Sequence, residues 1–249
     1  MSIVFMFSGQ GSQYRHMGRV LYERHTGFAR HMQALDDVVR QTGGYSVLER
    51  LYADQPQATA LDDILVTHPA IFMVEYALAQ TLIEHGVYPD HVLGSSLGEV
   101  AAAAVSGALD VEQAMSFVVR QARLFHEHCP AGGMTVMLAD VALFEQLQAD
   151  GIDVELAAIN CPEHLVISGA VPELAAAEAQ LARLNVVFQR LDVNRPFHSS
   201  HMDPLRDAFL QTSQALPLRR PRMGYVSSTF GGPIDQFPPN YLWHVVRSR

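Results

Sequence analysis

His91-Val92-Leu93, then Gly94-Ser95-Ser96-Leu97-Gly98, then Glu99-Val100-Ala101-Ala102-Ala103-Ala104 is the stretch whose reading decides the fold. The first three residues read as a brief strand, the next five as a turn with glycine at both ends, and the small-residue run as a helix. A strand that turns sharply into a helix belongs to an α/β fold built on a parallel sheet. The turn also fits G-x-S-x-G, in which a strained backbone lifts a serine hydroxyl clear of the sheet at a helix N-terminus. With only three fixed positions the pattern is weak by itself, and Ser96 reads either as a nucleophile or as a serine that caps a helix. Its setting between strand and helix favours the nucleophile, because the N–H of Leu97 would then face an oxyanion at the helix start.

Working outward, Ile3 to Phe7 is a short apolar run ended by Ser8-Gly9-Gln10-Gly11-Ser12-Gln13, as in a buried parallel strand feeding a tight loop. The segment from Pro69 through Ala70 to Leu78 predicts a nearly all-apolar helix that stops near Gly86. Composition shifts at Ala131-Gly132-Gly133. Beyond it Met134–Ala139 is strand-like, Val141–Ala149 helical, Val154–Asn160 and His164–Ser168 strand-like, Pro172–Arg183 helical and Val186–Asp192 strand-like. That order, βαββαβ, is the ferredoxin-like pattern. The expected organisation is therefore a large α/β-hydrolase-like subdomain with a parallel sheet, residues 1–130 and 194–249, carrying a ferredoxin-like small subdomain at 131–193. Pro217–Pro239 reads as irregular chain around one strand, Met223–Ser228.

Composition bounds the rest. In 249 residues, 49% are apolar and 17% charged, enough to bury a core without disulfides or metal. The net charge of −9, spread without a basic block, excludes a role built on phosphate-backbone contacts, so nucleic acid is not an expected partner. Cys129 and Cys161 form no CxxC pair and read as two buried reduced thiols. There is no secretory n-region and no apolar run near 18 residues, which predicts a cytoplasmic protein with no membrane partner.

A serine nucleophile needs a base, and 12 histidines leave the choice to setting. His198, in Asn194-Arg195-Pro196-Phe197-His198-Ser199-Ser200, lies where the chain leaves the small subdomain; His201, His126 and His128 are its rivals. The pairs His126-x-His128 and His198-x-x-His201 have no carboxylate-completed set beside them, so no metal is expected.

Phe7-Ser8-Gly9-Gln10-Gly11-Ser12-Gln13, Gly94-Ser95-Ser96-Leu97-Gly98-Glu99 and Phe197-His198-Ser199, in this order around a ferredoxin-like insert, resemble the malonyl-CoA:acyl-carrier-protein transacylases and the acyltransferase domains of polyketide synthases. The resemblance covers essentially the whole chain. It implies a Ser-His dyad, with Ser96 attacking a thioester, His198 as general base held by backbone carbonyls, and an oxyanion hole made of the Gln10 and Leu97 N–H groups. It also implies substrate contacts from Phe197 and from Asn160, which takes the place of a cleft-lining asparagine although a turn residue after a strand is an equal reading. No cofactor is expected, since the acyl group arrives on the phosphopantetheine of an acyl carrier protein or of CoA.

The chain departs from that pattern at several places. Registering Pro130-x-Gly132 on the family's turn puts Gln121 where relatives that transfer malonyl groups carry a carboxylate-gripping arginine. Arg120 and Arg123 point roughly 100° and 200° away from Gln121 on a helix, so neither substitutes. Ser95 stands where a histidine usually precedes the nucleophile, Val245 falls near a usual Asn or Gln, and Arg249 comes before relatives normally end, which predicts a missing last strand and helix. Within the resemblance, glutamine at this place marks the acyltransferase-like acyl hydrolases of polyketide synthases that lack built-in acyltransferases. The expected function is therefore serine hydrolysis of acyl-S-carrier proteins, as proofreading. The alternatives are acyl transfer from CoA to an acyl carrier protein and, from another class, a catalytically dead docking module. The Arg219-Arg220-Pro221-Arg222 cluster is the candidate basic patch for an acidic carrier protein, or else a solvated loop. The sequence names neither the acyl chain nor the oligomeric state.

Overall fold

The computed structural model describes residues 2–53 and 63–249. Strand β1 (Val4–Phe7) is followed by helices α1 (Arg19–Arg24), α2 (Thr26–Gly43), α3 (Val47–Leu51) and α4 (Ile64–Glu84). Then come β2 (His91–Gly94), α5 (Gly98–Val105), α6 (Val111–His128), β3 (Gly132–Met137), α7 (Val141–Ala149), β4 (Glu155–Cys161), β5 (His164–Ala170), α8 (Val171–Arg183) and β6 (Phe188–Arg190). A 3₁₀ helix at Ser200–Leu205 leads to α9 (Arg206–Ser213), β7 (Gly224–Ser227), β8 (Gly232–Pro233) and α10 (Tyr241–Arg247). The chain forms two compact units, one of residues up to 126 with 208–245, the other of 127–207 with 246–249. No helix among the described residues is long and apolar enough to cross a membrane.

The first unit is α/β. Its sheet has the order β1-β2-β7-β8, with β1, β2 and β7 parallel and β8 antiparallel. The register sets Phe7 beside Gly94 and Gly94 beside Ser227, so three strands end in one row. The loops that leave that row start at the carboxyl edge of a parallel sheet, where α/β proteins place their sites. Phe28, Phe72, Phe117, Phe125 and Phe209 are fully buried in the core of this unit, with Phe125 stacked on Phe209 at 6.0 Å.

Helix α4 starts five residues earlier than its apolar run suggests, with Asp63 as cap accepting the Leu65 N–H at 3.0 Å, and it carries Pro69 inside it. Proline has no N–H to give the carbonyl four residues back and normally breaks a helix there. The carbonyl it leaves, that of Leu65, instead accepts the Tyr45 hydroxyl at 2.6 Å. Half-burial pushes the Tyr45 phenol up to about 12, so it stays a donor.

The second unit is ferredoxin-like. Its sheet order is β4-β5-β3-β6, all pairs antiparallel, with α7 and α8 as the two crossover helices. Met137, Phe144, Leu147, Leu165, Ile167, Leu174 and Leu181 form its core. This unit runs past the expected 131–193, because the chain after β6 is fastened within it. The carboxylate of Glu155 on β4 accepts both the N–H and the hydroxyl of Ser200, His198 N–H donates to the Val246 carbonyl, and Arg247 pairs with Asp203. Of the two cysteines expected to be buried, Cys129 is, its thiol pushed up to about 11 by burial, whereas Cys161 at the end of β4 is exposed. The hairpin turn after Cys161 leaves it no element to pack beneath.

The Pro69 arrangement gives a test by double-mutant cycle. Tyr45→Phe should cost about 1 kcal/mol in chemical denaturation, the usual net value of such a bond. In a Pro69→Ala background, where residue 69 regains the N–H for Leu65, that cost should shrink toward zero; an unchanged cost in both backgrounds would refute the pairing.

Candidate active site

Ser96 occupies the turn between β2 and α5 with φ 52°, a left-handed conformation that costs a residue with a side chain about 1–3 kcal/mol. Five described residues other than glycine have positive φ, and Ser96 and His198 are two of them. The turn is this tight because both its glycines face backbone. A Cβ at Gly94 would lie 2.4 Å from Glu99 Cα, and one at Gly98 would lie 2.2 Å from the Phe7 carbonyl oxygen. Only hydrogen fits at either place. Ser95 N–H donates to the Phe7 carbonyl at 3.0 Å, which ties the turn to the end of β1, while the Ser95 side chain is exposed.

Two backbone donors flank this serine. Leu97 N–H opens α5, and Gln10 N–H lies in the loop after β1; among the described residues neither donates to another group. The loop is close to the turn, since a Cβ on Gly9 would stand 3.0 Å from Ser96 Cβ and 3.7 Å from Leu97 N. The Gln10 side-chain amide donates to Thr67 Oγ1 on α4 at 2.9 Å. Behind the turn, the buried Glu99 carboxylate accepts Ser227 Oγ, Ser228 Oγ, Thr229 N–H and Thr229 Oγ on Oε1, and the Tyr241 hydroxyl on Oε2. Burial raises its carboxyl above the ordinary range, against the lowering effect of those bonds.

His198 has φ 57° and is pinned in the second unit by residues 246–248. Its ring Nδ1 is 2.6 Å from the Ser248 carbonyl oxygen, an acceptor only, so Nδ1 carries the hydrogen and Nε2 keeps a lone pair. Burial lowers the imidazole below its ordinary value, with the Ser248 carbonyl pulling the other way, and the ring is neutral at pH 7. That is the form of a base. His201, its neighbour, is instead turned to Glu173 at 3.9 Å, while His126 and His128 are exposed.

The remaining expected residues divide. Phe197 is buried, its N–H closing on the Arg195 carbonyl at 3.0 Å. Asn160 lies at the exposed end of β4, its amide 2.8 Å from His164 Nδ1 across the hairpin. Gln121 on α6 is 2% exposed, and its amide faces His68 Nδ1 on α4 at 3.4 Å. Burial drives the His68 imidazole down to about 3, so the pair is neutral. Arg120 and Arg123 are exposed, the latter donating to the Gly43 carbonyl. Arg219, Arg220 and Arg222 are exposed too, with Asp110 and Glu112 sharing a groove with Arg219. Sequence reasoning missed His68 and Glu75, and it expected backbone carbonyls at His198 without singling out Ser248. His68 and Glu75 sit inside an apolar helix where nothing local signals chemistry, and which carbonyl meets His198 is decided by a segment 50 residues further along the chain.

The neutral His68 should make the protein acid-sensitive. Its folded value lies below its unfolded one, so its stability contribution is full above pH 6.5 and falls as pH drops toward 3, by about 1.4 kcal/mol per pH unit. Melting curves of His68→Gln should lack that loss. Parallel pH dependences for variant and wild type would refute it.

Comparison with known proteins shows the family. The profile of the family described as "Acyl transferase domain" matches residues 4–238. The polyketide biosynthesis acyltransferase homolog BaeD of Bacillus velezensis is 40% identical over 246 residues, which are 98% of this chain and 76% of BaeD. Among solved structures, the acyl transferase domain of SpnD superposes with a TM-score of 0.88 at 28% identity, over 99% of this chain and 59% of that one. The malonyl CoA-acyl carrier protein transacylase of Burkholderia pseudomallei does so with 0.85 at 30% identity, over 100% and 84%. The α/β unit with its strand-turn-helix at Ser96 and the ferredoxin-like unit thus make up an acyl transferase domain, the family to which this chain belongs.

Proposed function

We propose that this chain is a serine acyl hydrolase that removes acyl groups from acyl-S-carrier proteins in polyketide biosynthesis, as a proofreading activity. Ser96 Oγ attacks the thioester carbonyl while His198 Nε2 takes its proton. The Gln10 and Leu97 N–H groups bind the oxyanion that forms. Collapse breaks the C–S bond, and His198 returns the proton to the departing phosphopantetheine thiol. Water, deprotonated by the same nitrogen, then attacks the acyl-enzyme, and a second collapse releases the carboxylic acid and restores the Ser96 hydroxyl. The hydrogen bond from Nδ1 to the Ser248 carbonyl supports this role, since it holds the tautomer the base needs.

The observation that carries the substrate side is the neutral, buried Gln121–His68 pair. An acyl chain ending in a carboxylate and seated at residue 121 would find no cation there: His68 is neutral and Arg120 and Arg123 are exposed. Burying a carboxylate without its partner costs about 3–5 kcal/mol, or roughly 10²–10⁴ in relative rate. Transfer of an acyl group from CoA to a carrier protein uses the same first half-reaction and remains the second reading.

Ser96→Ala should abolish the acyl-enzyme mass shift, and His198→Ala should lower turnover by about 10²–10⁴-fold. A mass shift on the Ser96 variant would refute the nucleophile. With a panel of acyl-S-carrier proteins, free acid should exceed transferred acyl group; the reverse would favour the transferase.

Acyl choice is a separate test. Acylation by acetyl-CoA should outrun that by malonyl-CoA, and Gln121→Arg should narrow or invert the difference, because a guanidinium grips a carboxylate with two parallel bonds. Equal rates in the wild type would mean that another cation serves the site.

A further inference from the structure

Helix α4 is apolar over most of its length, yet it holds one carboxyl group in the run Ala70-Ile71-Phe72-Met73-Val74-Glu75-Tyr76-Ala77. Glu75 Oε1 accepts two hydrogen bonds from one residue, the backbone N–H of Ser8 at 2.6 Å and its hydroxyl at 2.7 Å. Oε2 is buried and has no partner among the described residues. Burial pushes this carboxyl up to about 8, with the two Ser8 bonds opposing it. It is therefore mostly protonated at pH 7 and adds no negative charge beside the loop. An alanine would fill this place in an apolar helix without the cost of burying a polar group.

Ser8 is where β1 ends and the loop to Gln10 begins. We propose that Glu75 is a positioning residue for catalysis, whose double hydrogen bond to Ser8 fixes the direction in which the Gln10 N–H points. The proposal rests on the reading of Ser96 as nucleophile and of Gln10 and Leu97 as oxyanion donors. The loop is pinned at three points: Ser95 N–H on the Phe7 carbonyl before it, Glu75 on Ser8, and Thr67 on the Gln10 side chain. Both helix contacts come from α4. Between them lies Gly9, against Ser96 Cβ, so a small rotation at Ser8 moves Gln10 N–H relative to Leu97 N–H. Removing one such donor outright costs about 10²–10³ in rate, and misplacing one by an ångström costs about 10².

The test compares Glu75→Gln, Glu75→Ala and Ser8→Ala in single-turnover acylation by acetyl-CoA, normalised to active sites and read by mass spectrometry. Glu75→Gln retains a carbonyl oxygen for both Ser8 donors and should acylate within about threefold of wild type. Glu75→Ala should lose about 10- to 100-fold in the acylation rate constant, and Ser8→Ala, which keeps the N–H bond, about 3- to 10-fold. The half-saturating acetyl-CoA concentration should stay within threefold throughout, since the oxyanion exists only after attack. A merely structural role predicts a lower melting temperature with unchanged acylation per active site, which would overturn the proposal. So would a wild-type rate in Glu75→Ala, or a loss confined to half-saturation. Should Glu75→Ala not fold, Ser8→Ala against Glu75→Gln decides. Wild type that takes no acyl group on Ser96 refutes the catalytic reading itself, and this proposal with it, a result distinct from an acylated wild type with indifferent variants.

Discussion

The left-handed backbone at Ser96 constrains everything around it in the first unit. A chain that must turn from β2 into α5 within three residues has no room for side chains on the inside of the turn, so Gly94 packs against Glu99 Cα and Gly98 against the Phe7 carbonyl. That contact brings the end of β1 up to the start of α5. The loop after β1 then runs against the turn, with Gly9 set beside Ser96 Cβ. Strain at one residue is held by packing at its neighbours, as strained residues in folded proteins require.

Carboxyl groups do the fastening. Glu99 gathers the chain after β7 and the hydroxyl of Tyr241 onto the first turn of α5, and Glu75 gathers the chain after β1 onto α4. Both are pushed above the ordinary carboxyl range by burial, and the donors that bind them are hydroxyl and amide groups rather than cations. A carboxyl oxygen can accept several donors at once, which lets a single side chain hold a loop that has no regular structure. The second unit does the same with Glu155, which holds the N–H and hydroxyl of Ser200 just past His198.

Neutrality is the other theme. The chain carries a net charge of −9, yet several of its buried polar side chains are uncharged at neutral pH: His198, His68, Gln121 and largely Glu75. A neutral imidazole with its hydrogen on Nδ1 accepts a proton on Nε2, whereas a neutral Gln121–His68 pair carries no positive charge to set against a free carboxylate.

The α/β class, the strand-turn-helix at Ser96 and the βαββαβ order were legible in the sequence, because glycine spacing and apolar periodicity are local properties, whereas the roles expected of His198, Gln10 and Gln121 came from the resemblance and not from local pattern. Helix α2 was not, since its cap is His25, whose ring Nδ1 accepts the Phe28 N–H, and histidine is no ordinary cap. Nor was the true start of α4, where Pro69 is tolerated because Tyr45, far along the chain, supplies the hydrogen bond that proline frees. Local sequence thus determined where the chain turns and which residue types stand at the turns. Tertiary structure alone decided that Glu75 faces Ser8, that His68 faces Gln121 and that the Ser248 carbonyl sets the tautomer of His198, because each pair is more than 45 residues apart and is chosen by which faces the folded chain buries together.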